Sequence, residues 1–245
     1  MSQVNPYASG ASLGMPAAMA DESARAGFIR RTYGHLAAAV FAFLAIETIL
    51  FSVVPEATMR SMVTKMTSGY GWLLVLGAFM AISWMARSWA QSNTSRGMQY
   101  AGLGLYVIGQ ALIFVPILYI AIVLLQQPQI PLLAGIITLL TFAGLTAFVF
   151  MTRVDLASWG TYLFVAGLVA MGACVCGVLF GFSLGLFFSA AMVALASGYI
   201  LYDTSNVLHH YQTDQYVAAS LALFASVALL FYYVLQILLR FSSSD

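Results

Sequence analysis

Of the 245 residues, 62% are hydrophobic, only 7% are charged, and the formal net charge is +1. A soluble globular domain carries about 25% charged residues, so this chain has too few charges to cover a surface facing water and must be solvated mostly by lipid. The near-neutral balance also excludes a basic surface of the kind that binds nucleic acid.

The chain starts with a polar stretch. Residues 1–24 are rich in Ala, Ser, Gly and Met and lack the apolar core of a cleaved signal peptide. The reading is a flexible cytoplasmic tail over 1–27, followed by one transmembrane domain over 28–245. A membrane-crossing helix needs about 20 apolar residues, and seven stretches qualify: 33–55, 70–92, 99–125, 130–151, 157–181, 184–207 and 216–240. Polar punctuation separates them. Pro55 leads into a polar loop, Gln126-Gln127-Pro128-Gln129 and Thr152-Arg153-Val154-Asp155 make two further breaks, and the stretch from His209 to Gln215 makes another. The break from Gly181 to Ser183 is so short that spans five and six should form a tight hairpin. Small residues offer close packing faces: Ala190, Ala194 and Gly198 on span six, Ala166 and Ala170 on span five.

Seven spans place the two ends of the chain on opposite sides. With the N-terminus in the cytoplasm, Arg25, Arg30, Arg31, Arg87, Arg96 and Arg153 lie inside, and Arg60, Lys65 and Arg240 lie outside. Six against three satisfies the positive-inside rule. The expected orientation is therefore N-terminus cytoplasmic and C-terminus periplasmic.

Against this apolar background, ionisable residues within the spans are functional candidates, because each costs several kcal/mol unless it is paired or wet. Glu47 lies inside span one, Arg87 near the inner end of span two, and Asp203 near the inner end of span six. Asp203 is disfavoured twice, by hydrocarbon and by the negative end of its helix. Asn206 and His210 follow it at i+3 and i+7, on the same helical face. Two readings stand side by side: a proton- or cation-binding face, and a helix end at the interface where Asp203 pairs with Arg87. Glu47 reads either as functional or as a carboxyl hydrogen-bonded to a neighbouring helix. His35 reads as interfacial. His209 and His210 titrate near neutral pH and read as loop residues, with a pH sensor as the alternative.

Cys174 and Cys176 are two apart on a helix and point in different directions, so they read as packing residues and not a disulfide. The chain has no zinc spacing, phosphate-binding loop, GxSxG or HExxH. No cofactor and no catalytic site is expected.

GYILYDTSNVLHH, from Gly198 to His210, resembles the signature of the Bax inhibitor-one (transmembrane Bax-inhibitor-motif) family and its bacterial YccA branch. RTYGHLAAAVFAF (from Arg31), FVPILYIAI (from Phe114), TAFVFMTRVDLASWGTYL (from Thr146) and the final RFSSSD fall in the same order, so the likeness runs from about residue 28 to 245. The resemblance implies an all-α integral membrane fold in which six helices surround a central seventh. It implies that Asp203 matches the acid which, in calcium-leak members, pairs with a second aspartate on the last helix and gates a pore with pH. Ser226 stands at that second position, and no acid occurs in the last span. Arg87 and its neighbour Ala86 compete for the family's second-helix slot. The serine is similar to the YccA branch, whose members bind FtsH, a membrane-anchored ATP-dependent protease, and slow its attack on other membrane proteins. The resemblance thus implies a bacterial inner-membrane modulator of FtsH. The alternative it leaves is a calcium or proton leak through Asp203, with calcium as a permeating ion.

Overall fold

A computed structural model describes residues 14–92 and 95–242. The chain is helical from α1 (Glu22–Val53) through α2 (Glu56–Thr67), α3 (Gly71–Ala90), α4 (Arg96–Tyr119), α5 (Gln129–Thr152), α6 (Trp159–Phe180) and α7 (Gly185–His209) to α8 (Tyr216–Ser242). All but α2 are long and apolar enough to cross a membrane. Hydrocarbon forces this outcome, since every backbone N–H and C=O must find its partner within the segment.

Three boundaries differ from the sequence reading, each for a local reason. First, α1 starts at Glu22, well before residue 33. Glu22 sits in its first turn, where the helix dipole favours an acid, and Phe28 and Thr32 on that extension are buried. Of the expected 1–27 tail, residues 1–13 lie outside the described residues. Gly14 onward leads into a short 3-10 turn, Ala17–Met19, and then α1. Second, the polar loop expected after Pro55 is the helix α2. It is amphipathic: Met59 and Val63, one turn apart, are buried against Val115 and Tyr119. Glu56 in its first turn and Lys65 in its last complement its dipole. Third, the end of α4 passes into a π-helical turn, Ile120–Leu124, just beyond Pro116, whose missing N–H interrupts the regular ladder.

Short turns use the left-handed region. Arg153 closes α5 at φ 51° and Gly181 closes α6 at φ 71°. Spans five and six do form the short hairpin, and of the small-residue ridge on span six only Gly198 meets its partner, close against Leu163. Ala166, Ala190 and Ala194 are exposed. Tyrosines seated on glycines make the close contact instead: Tyr199 over Gly167 and Tyr202 over Gly160. Tyr199 also donates to the Leu163 carbonyl at 2.8 Å.

The core runs along α8, which packs on α1, α3, α4, α5 and α7. Phe43, Phe114, Phe224 and Phe231 interlock at its middle, with Phe114 stacked on Phe231 at 5.2 Å. Burial is shared: α4 is at least as enclosed as α8. α6 packs chiefly along α7 and is among the least enclosed spans.

Candidate functional site

Alternation of the spans brings the end of α3, the start of α4, the end of α7 and the start of α8 to one face of the bundle. Asp203 is carried there by α7, nearly two turns before the helix ends, and it is only 8% exposed. α7 holds Asp203 against α8, where Ser226 donates its hydroxyl proton to Asp203 Oδ2 at 2.5 Å. Ser226 is itself buried. The aspartate thus meets a hydroxyl where the resemblance placed a second carboxylate. A hydroxyl donates one proton and carries no charge, so the two-carboxylate arrangement that splits titration steps is absent from this contact.

Arg87 does not pair directly with Asp203. Among the described residues, the ion pair within 4 Å is His210–Asp155. Arg87 instead lies 6.0 Å from the ring centroid of the buried Tyr106 and acts on Asp203 through space. Ala86 is fully buried on the side of α3 that meets α4 at Gly102. Tyr199 and Tyr211 complete the surroundings, both within electrostatic range of Asp203 and Arg87.

The face shared by Asp203, Asn206 and His210 does not act as one cluster. The helix ends at His209, and His210 departs from it with φ −116°. Asn206 is half-buried, and its carbonyl accepts the N–H groups of His210 and Tyr211, both at 2.9 Å. The His210 ring turns to the α5–α6 loop, where Nε2 donates to Asp155 at 3.0 and 3.1 Å. That contact, followed by the Ala157 backbone N–H, holds the Asp155 carboxyl below the usual carboxylate range. Ser205 fastens the same loop from the buried side: its Oγ accepts from Leu156 N–H at 2.8 Å and donates to the Val154 carbonyl at 3.1 Å. Sequence reasoning quoted Asp155 within a motif and missed both of these partners. The only signal was the polar run from Asp203 to Asn206, which is longer than a helix end requires.

A strap covers this face. Ala17 N–H donates to the Tyr211 carbonyl at 2.9 Å and Thr213 N–H to the Met15 carbonyl at 3.2 Å. Pro16 and Gln212 form the antiparallel bridge between them. Ala17 is fully buried beneath it. Beside the strap, His35 meets Tyr100 at 3.2 Å, and Arg96 lies 5.0 Å from the ring centroid of Tyr216.

Glu47 is far from this cluster along α1. It is 6% exposed, and neither carboxylate oxygen has a hydrogen-bond partner. Of its two readings, the bond to a neighbouring helix is therefore not made; Phe43 and Phe51, four residues to either side on α1, belong to the apolar core. Among the described residues, no three His, Cys, Asp or Glu side chains are grouped so as to hold a metal ion. Both cysteines are free.

Residues 25–243 match the family profile described as Inhibitor of apoptosis-promoting Bax1. The protein named Bax inhibitor 1 of Schizosaccharomyces pombe is 32% identical over 122 residues, 48% of this chain and 45% of that protein. An uncharacterised protein of Pseudomonas aeruginosa is 28% identical over 225 residues, 90% of this chain and 92% of its own. The Escherichia coli protein named Modulator of FtsH protease YccA is 33% identical over 109 residues, 44% of this chain and 49% of that protein. The match therefore spans about half the length of the yeast and Escherichia coli relatives.

Proposed function

The chain belongs to the Bax inhibitor family, and on that footing we propose that this multi-pass membrane protein modulates the protease FtsH in a bacterial inner membrane, as an inhibitor or a slowly handled substrate. The likeness to the Escherichia coli modulator supports the partner. The strap is the observation that carries the reading. The segment leading into α1 is held by backbone hydrogen bonds to the turn that follows α7. A pull on the N-terminal segment therefore loads the end of α7 as well as α1, and both are anchored on α8. A chain end that leads directly into a well-packed bundle is slow to extract.

The test is co-purification with FtsH and the lifetime of an FtsH substrate in cells. Full-length chain, a chain lacking residues 1–13, and Asp203→Asn are compared. The expected outcome is loss of FtsH capture and of substrate protection on deletion, with Asp203→Asn unchanged. Full capture and full protection without residues 1–13 would sink the idea that the tail is the handle.

A second reading is favoured by the buried contact between Asp203 and Ser226, which gives a proton or cation a single carboxylate to bind. In that reading, proteoliposomes show a calcium or proton leak that changes with pH and that Asp203→Asn abolishes or fixes. No flux above empty liposomes at any pH removes it.

A further inference from the structure

Behind the hairpin of spans five and six lies a cavity of about 480 Å³, bounded by α3, α4, α6, α7 and α8. It exists because α6 packs along α7 and meets α3 only marginally, so α6 stands off the core helix. The size falls within the range of about 300–1,000 Å³ typical of sites for small organic ligands. The walls are mostly apolar and aromatic, with Phe79, Met171, Met192, Leu229 and Tyr232 among them, and Gln110 of α4 interrupts them with a side-chain oxygen that has no hydrogen-bond partner among the described residues. One end carries the polar groups Ser183, Gln236 and Arg240, and Trp72 stands near them.

We propose that this cavity binds an anionic phospholipid, with one acyl chain inside and the phosphate at Arg240. Four observations lead there. The outward face of α6 presents Leu168 and Val169, 56% and 68% exposed, as a lipid-facing surface must, so acyl chains lie directly against the helix that walls the cavity. An apolar cavity stays dry or takes an apolar guest. From Arg240 to Leu229 the cavity follows α8 for roughly 16 Å at 1.5 Å per residue, which suits an extended chain more than a compact metabolite. Finally, the charge is placed for an anion. A guanidinium offers forked donors that match phosphate oxygens, and Trp72 at the same level is a residue type that sits at headgroup depth.

The full-length protein is placed in nanodiscs of phosphatidylcholine doped with phosphatidylglycerol that bears a photoreactive diazirine on its acyl chain. After irradiation, labelled peptides are mapped by mass spectrometry. The expected result is labelling of Met171, Cys174 or Met192 from within the cavity, in addition to labelling of the outward residues Leu168 and Val169. Arg240→Gln should cut the cavity label severalfold and leave the outward label unchanged. Ala170→Phe, which fills the cavity from α6, should do the same, so the result does not depend on one variant folding. Phosphatidylcholine carrying the same diazirine should label the cavity severalfold less. The proposal is overturned if label appears only on the outward face. It is equally overturned if the two lipids label the cavity alike and Arg240→Gln changes nothing.

Discussion

At the scale of single residues, the polar groups divide into those that water reaches and those it does not. Asp203 and Ser226 are enclosed and satisfy each other. Asp155 and His210 are about half exposed at the surface. An exposed pair is worth about 0–1 kcal/mol, and its pH dependence has a definite sign. The folded Asp155 carboxyl lies below its ordinary value, which is about 4. Its contribution is therefore present above that ordinary value and is lost as pH falls through the lower, folded value. Asp155→Asn should lower the thermal midpoint in detergent slightly at neutral pH, and the two proteins should converge as the pH falls below the folded value of Asp155. A difference of constant size across the whole range would mean that the substitution does not act through the charge, since an asparagine Oδ1 keeps the bond from the Ala157 N–H.

At the scale of elements, the bundle depends on where backbone meets backbone. A Cβ added at Gly102 would stand 2.6 Å from the Ala86 carbonyl oxygen and 2.8 Å from the Ala90 nitrogen. Both atoms belong to the backbone of α3, so neither can swing aside and the two helices must part. Gly102→Ala should cost about 1–3 kcal/mol, as overpacking does. Gly104→Ala, on the same helix with nothing within 4 Å, should be neutral or slightly stabilising. Denaturant titration of the two variants in mixed micelles separates them. Equal midpoints would show that α3 and α4 do not need this approach. The tyrosine-on-glycine contacts of α6 and α7 are a softer case, because a tyrosine ring can turn and a peptide group cannot.

At the scale of the whole molecule, the charges are sorted by face. Arg31 and Arg96 flank the same Tyr216 ring, at 5.7 and 5.0 Å from its centroid. That contact places the starts of α1, α4 and α8 together, on the face that also holds Asp203. Arg240, at the other end of α8, belongs to the opposite face. We propose on the positive-inside rule that the Asp203 face is the cytoplasmic one. A fusion at the C-terminus should be active with alkaline phosphatase and dark with green fluorescent protein. The reverse pattern would invert the assignment and move the strap and Asp203 to the outer side.

Spans, helical class and family were legible in the residues themselves. Hydrocarbon permits little besides helices, and a run of about 20 apolar residues advertises itself without reference to anything distant. The contact of Ser226 with Asp203 was legible too, although only through the family motif that aligned one helix on the other. What the chain alone could not reveal involves partners far apart in sequence or faces with no periodic signal. His210 finds Asp155 and not Asp203, because α7 stops one residue too soon to keep the three polar groups in line. Arg87 settles on Tyr106 and reaches Asp203 only through space. The Ala190 and Ala194 ridge faces outward, since in lipid a small residue is as content at the surface as in a contact. The strap and the cavity behind α6 likewise arise from packing. Composition determines that this chain folds within a bilayer, whereas only the tertiary structure decides which of its few polar groups meet, because each contact joins segments that hydrophobicity treats alike.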